Sequence, residues 1–205
     1  LFAYKWDEAP VELVDLTEGE QIPEWVRSEL TNPNTIKHAY NAAFEWYCLN
    51  RAGYKTPLEQ WRCTMMHGLY CGYTAGLDAT GKAIGLPQDK RKLTTGKALI
   101  RYFCVPCKPT KSNGNRTWNL PKHAPEKWAL FKDYCKQDVV TEHEILKRLE
   151  QYPVPEAEEL LWQMDIRMNA FGVRVDEELI DGALAIDGLC TEKLTNDAVR
   201  ITDLQ

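Results

Sequence analysis

The sequence predicts a sheet with helices packed on it, of the α/β or α+β type, followed by a helical appendage. Three observations point there. Short runs suited to strands come first, strand and helix alternate between Thr35 and Arg51, and helix-period patterns dominate after Pro125.

Taken in order, Leu1 to Trp6 and Val11 to Leu16 read as two strands joined by a turn at Asp7-Glu8-Ala9-Pro10. Pro23 to Leu30 reads as a short helix with proline near its start. Thr35 to Tyr40 reads as a strand. Asn41 is placed to cap a helix that runs to Arg51 and ends at Gly53. Thr56-Pro57-Leu58-Glu59 has the form of a capping box with proline at the first helical position, so it predicts a helix carrying Trp61, Met65, Leu69 and Tyr70 and closed by Gly72. Short helices are expected over Leu77 to Ile84 and Thr95 to Phe103. Val105 to Leu120 is rich in Pro, Asn, Gly and Lys and reads as an exposed loop. Pro125 opens a long helix to about Gln151, with Phe131, Cys135, Val139, Leu146 and Leu149 as its buried stripe. Tyr152-Pro153-Val154-Pro155 interrupts the helical pattern and suggests a domain boundary, dividing 1–152 from 153–205. Beyond it lie an amphipathic helix from Glu156 to Phe171 ended by Gly172, an extended Val173-Arg174-Val175, and a last helix capped by Asp176.

The 205 residues are 44% hydrophobic, enough for a core, and carry a net charge of −5, which excludes a wholly basic nucleic-acid binder. The charge is unevenly spread. Gln88 to Lys127 holds ten Lys and Arg against Asp89 and Glu126, a segment of +8 on a remainder of −13. Such a segment suits a phosphate backbone, or else is a solvated loop. Seven irregularly spaced cysteines read as free thiols in a reducing compartment. No signal peptide opens the chain and no stretch is apolar enough to span a bilayer.

Two short segments carry the chemistry: Asn41-Ala-Ala-Phe44-Glu45 and Tyr134-Cys-Lys-Gln-Asp138. Glu45 falls in the first turn of a helix that follows a strand, at the carboxyl end of that strand, where ligands gather in open α/β sheets. Read alone, it complements the helix dipole and Asn41 is an N-cap. Tyr134 and Asp138 stand one turn apart on a single face. Aspartate is a poor helix former, and burying one is costly unless it is paired or holds a metal. The plain alternatives are an exposed Asp138 bonded to Lys136 or His143, and a Tyr134 that packs in the core.

Asn-x-x-Phe/Tyr-Asp followed much later by Tyr-x-x-x-Asp resembles the second and third motifs of the DEDD-type 3′–5′ exonucleases with tyrosine. The proofreading domain of family A (DNA polymerase I-like) DNA polymerases belongs to that group. The surrounding text, including Tyr40 to Glu45, Gly96-Lys-Ala-Leu-Ile100 and Trp128 to Val139, is most similar to bacteriophage and prophage members. The resemblance covers residues 1 to about 150. Leu160 to Asp176 resembles the entry to the polymerase region. It implies an RNase H-like mixed sheet flanked by helices over 1–152, and the helical start of a polymerase domain over 153–205. It also implies two divalent ions, Mg²⁺ or Mn²⁺, with Asp138 and Glu45 as metal ligands, Tyr134 orienting the attacking water, and Asn41 and Phe44 on the substrate. The partners implied are the single-stranded 3′ end of DNA, a primer-template, and the rest of a polymerase chain, with no membrane, in a bacterial host's cytoplasm. Two departures stand out. Glu45 replaces the usual Asp and is one methylene longer, about an ångström. The family's first motif, Asp-x-Glu on a first strand, does not precede Asn41, since Glu18-Gly-Glu20 falls at a turn. The expectation is therefore a piece of such a polymerase, itself inactive, whose first motif lies upstream. The alternative is an exonuclease fold kept without its chemistry as a DNA-binding or structural module.

Other motifs fare worse. Gly76 to Ala83 approaches a phosphate-binding loop but lacks the metal-binding Ser/Thr and a leading strand, so a helix with Leu77 and Ile84 inward is expected. Cys104-Val-Pro-Cys107, with Cys63, His67 and Cys71, has partial zinc spacing only.

Overall fold

A computed structural model describes residues 1–73, 76–91 and 96–202. Thr95, the expected start of the second short helix, and Lys92 of the basic segment lie outside them.

The first strands are β1 (Phe2–Tyr4) and β2 (Glu12–Val14), paired antiparallel with Phe2 opposite Val14. Asp15 then caps a 3₁₀ turn, Leu16–Glu18, which Gly19 closes with φ +85°. Helix α1 (Glu24–Thr31) starts after Pro23, as the sequence predicts, and buries Val26 and Leu30. Next come β3 (Lys37–Ala39) and α2 (Ala42–Arg51).

Two readings are corrected here. Asn41 does not cap α2 with its side chain; it sits in the left-handed region at φ +77°, a conformation that asparagine tolerates, and turns the chain out of β3. The capping box at Thr56 opens no helix. Leu58–Gln60 forms a 3₁₀ turn, β4 (Trp61–Cys63) follows, and only then does α3 (Thr64–Tyr70) begin. Tertiary bonding overrides the local signal. The Thr56 hydroxyl accepts from Asn50 Nδ2 at 3.1 Å and Trp61 Nε1 at 3.1 Å, while Trp46 Nε1 donates to the Thr56 carbonyl at 2.9 Å. Trp61 and Cys63 are thereby buried. β4 lies parallel to β3, with Lys37 opposite Trp61 and Ala39 opposite Cys63. β3, α2 and β4 thus make a strand–helix–strand unit with α2 packed on both strands.

The remaining helices are α4 (Leu77–Ala83), α5 (Gly96–Cys104), α6 (Pro125–Leu149), α7 (Glu156–Phe171) and α8 (Glu177–Thr202). Pro125 starts α6, and Gly172 follows α7 with φ +77°. Asp176 Oδ1 caps α8 by accepting from the Leu179 amide at 3.1 Å. α4 buries Leu77 and packs Ile84 against the core, as expected.

α6 is the spine of the first compact unit, Leu1–Gln163, and packs on β1, β2, α3, α4 and α5. Its buried residues are Trp128, Tyr134, Thr141, Ile145 and Leu149. Of the expected stripe only Leu149 is fully buried; Phe131, Cys135, Val139 and Leu146 are half-buried, because several elements surround the helix. Three clusters form the core. The first joins Val14, Val26, Leu49 and Trp61, with Trp162 packed against it. The second joins Leu77, Leu86, Ile145 and Leu149, and the third joins Leu99, Phe103, Trp128 and Tyr134. Asp15 ties β2 to α6: its buried carboxylate accepts from Trp128 Nε1 at 2.6 Å and lies 3.6 Å from Lys132 Nζ. Residues 156–163 of α7 belong to this unit, where Glu159 lies 4.0 Å from the Arg62 guanidinium. The second unit begins at Met164 and holds the rest of α7, where Ile166 is buried, and α8, among whose described residues none is buried.

Candidate functional site

Because β3 and β4 run parallel, their carboxyl ends lie on the same side, and the residues that follow them meet the middle of α6. β3 delivers Glu45 through the first turn of α2. β4 delivers Thr64, the first residue of α3. The Thr64 hydroxyl donates to Glu142 Oε1 on α6 at 2.5 Å. Glu142 in turn acts electrostatically on Glu45. This is the edge at which open α/β sheets place their ligands.

The two glutamates share an unusual environment. Glu45 Oε2 is shielded from solvent and has no hydrogen-bond partner among the described residues. Withdrawal from water, reinforced by the Glu142 charge, pushes the Glu45 carboxyl up to about 7. Glu142 is also pushed up to about 7, by burial, against the opposing pull of the Thr64 hydroxyl. Both carboxyls thus lie well above the usual carboxylate range.

Asp138 stands one helical turn before Glu142, about 6 Å along the axis. It is half-buried, and its Oδ1 is shielded from solvent. Its charge acts on the Cys135 thiol, which burial pushes up. Tyr134, a further turn back, packs in the third cluster. It is buried, its ring stacked on Phe131 with centroids 6.1 Å apart. Gly96 on α5 makes room for it; a Cβ there would lie 1.9 Å from the Tyr134 ring. Asn41 is exposed, and Phe44 is 63% exposed. The structure thus places Glu45 within electrostatic reach of Glu142, one turn from Asp138, and sets Tyr134 among aromatics. Glu142 escaped the sequence reading. The signal was there, since 134, 138 and 142 are spaced by four along one helix, but Glu142 belongs to no motif.

Ions of the magnesium class take oxygen ligands, and Glu45, Asp138 and Glu142 offer them. Among the described residues, however, no group of three or more His, Cys, Asp or Glu side chains is arranged to hold a metal ion. The donors have the right chemistry but do not by themselves close a coordination set.

The basic segment is partly structural. Lys90 lies 3.4 Å from Glu144, Arg91 Nε donates to the Leu86 carbonyl, Arg116 Nε donates to Asn119, and Lys127 sits 4.4 Å from the Tyr102 ring centroid. A hollow of about 280 Å³ elsewhere in the unit is lined by groups of both charges, among them His38, Arg62, His67 and Glu159. No described helix is long and apolar enough to cross a membrane.

Over all 205 residues the chain is 45% identical to the DNA polymerase of Bacillus phage SP02. The match covers the whole of this chain and 31% of that polymerase, so the chain spans about a third of its relative's length. No family profile matches the chain, and no solved structure matches it.

Proposed function

We propose that these residues are the 3′–5′ exonuclease segment of a family A DNA polymerase, followed by the helical entry to its polymerase region, with an RNase H-like fold over 1–152. The 45% identity, across every residue, to a phage DNA polymerase carries the polymerase part of this reading, and the Asn41–Glu45 and Tyr134–Asp138 motifs support the exonuclease part. The electrostatic coupling of Glu45 to Glu142, one turn from Asp138 and at the carboxyl end of parallel strands, also supports it. The substrate is the single-stranded 3′ end of a DNA primer, and the setting is the cytoplasm of a bacterial host. Asp138 and Glu45 would supply part of the ligand set for Mg²⁺ or Mn²⁺ ions, which would contribute polarisation of the scissile phosphate. Phe44 and Asn41, both exposed, would meet the terminal nucleotides, and Tyr134 would orient the attacking water.

The test is Mn²⁺-dependent digestion of a 3′-labelled single strand by the longest natural chain that contains these residues, with Asp138→Ala and Glu45→Ala as controls. Stepwise release of mononucleotides, abolished in both, supports the reading. Strand binding without cleavage would favour a module that holds DNA and has no nuclease chemistry.

A further inference from the structure

The outer face of α2 has a character that the buried carboxylates do not explain. Glu45 is the only acidic residue on this helix and it turns inward. The outer face exposes Phe44 at 63% and Tyr47 at 41%, followed by Cys48 and Arg51. These positions follow the helical period, at steps of three, four and seven from Phe44, so they form one stripe. Tyr47 and Arg51 border a wide, open surface depression together with Cys48 and Ala52. The shelf is held firmly from behind. Trp46 meets Tyr47 edge-on with centroids 4.9 Å apart, and Trp46 Nε1 is bonded to the Thr56 carbonyl. Arg51 makes no salt bridge among the described residues, and Lys55 lies exposed just beyond it. On a chain of net charge −5, this stripe of aromatics and cations without an acid is complementary to a polyanion that has exposed bases.

We propose that the outer face of α2, from Phe44 through Tyr47 to Arg51, is a stacking shelf for single-stranded nucleic acid. It leads the strand away from the carboxylate edge. The inference rests on the exonuclease reading for its choice of strand, and it adds residues that the motifs do not contain. From Phe44 to Arg51 the shelf runs about 10 Å along the helix. That length suits two or three nucleotides at roughly 3.4 Å each. Tyr47 takes a base face and Arg51 a phosphate. Stacking of this kind tolerates any base, because every base has a π-face.

The experiment measures binding of a fluorescein-labelled oligothymidylate to the 205-residue chain by anisotropy, across a salt series. A duplex of equal length is the comparison. Tyr47→Ala is expected to weaken single-strand binding roughly five- to a hundredfold. Arg51→Ala is expected to lower the salt slope by about 0.7, and Arg51→Lys to restore it. An arm free of mutations uses Cys48 as a reporter. The oligonucleotide should slow its maleimide labelling while leaving the exposed Cys104 and Cys190 unchanged. Binding unaltered in the α2 variants, with Cys48 unprotected, would overturn the shelf and leave the exonuclease reading standing. Failure to bind the strand, or equal binding of the duplex, would overturn the shelf too, while the digestion assay judges the nuclease separately. Protection of Cys48 that grows with protein concentration alone would mark a contact between copies and also overturn it.

Discussion

Replacing Glu45 with glutamine should change how the stability of the fold responds to pH. The folded state holds the Glu45 proton up to about pH 7, whereas the unfolded chain releases it near 4.5. Between those values the native state binds more protons, so its stability falls as pH rises. The Glu45 contribution is fully present below pH 4.5 and lost once pH passes 7. At about 1.36 kcal/mol per unit the shift amounts to roughly 3 kcal/mol, an upper figure for a half-buried group. Glu142 adds a cost of the same sign. Glu45→Gln keeps the shape and removes the charge, so the difference in stability between variant and wild type should grow from near zero at pH 4.5 to as much as about 3 kcal/mol in the variant's favour at pH 8. Urea denaturation at intervals between these limits measures it. With a slope of about 1–3 kcal/mol per molar, the midpoints should separate by on the order of 1 M or more. Groups distant from the pair titrate alike in both proteins and cancel. A difference that stays constant with pH would refute the account of the pair.

Three further outcomes follow from particular contacts. Gly96→Ala drives a methyl into the Tyr134 ring and should cost about 1–3 kcal/mol or more, seen as a drop of several degrees in thermal midpoint; an unchanged midpoint would show that the ring is not seated there. Asp15→Ala removes the charged acceptor of Trp128 Nε1 and the cap of the turn after β2, for a loss of about 2–3 kcal/mol by denaturation. Thr64→Val deletes the hydroxyl that lowers the Glu142 carboxyl, so its titration midpoint, followed by carbon NMR, should move further up, and a midpoint that falls would contradict the bond.

Elements bounded by strong punctuation were legible in the sequence. Pro125, Gly172 and Asp176 mark their helix ends as the residue types require, and Pro23 leads into α1. β4 was not legible, because a proline-bearing capping box stands just before it. The helix signal at Thr56 is local, while the pairing that defeats it sets Trp61 of β4 beside Lys37 of β3, a strand brought near only by folding. The stripe of α6 was misjudged for a related reason. A helix surrounded by β1, β2, α3, α4 and α5 buries residues on several sides, so a single periodic face undercounts them. In the candidate site, Glu45 and Asp138 stood out through their motifs. Glu142 did not, because it belongs to no motif and its importance comes from what β3 and β4 deliver to it.

The most direct test of the central claim is the site of label release from a single strand by the longest natural chain containing these residues, in Mn²⁺, with 3′-labelled and 5′-labelled substrates compared. The account predicts immediate loss of the 3′ label as mononucleotide, a ladder of shortening products from the 5′-labelled strand, and neither in Asp138→Ala. Cleavage that persists in Asp138→Ala, or that starts at the 5′ end, would contradict it.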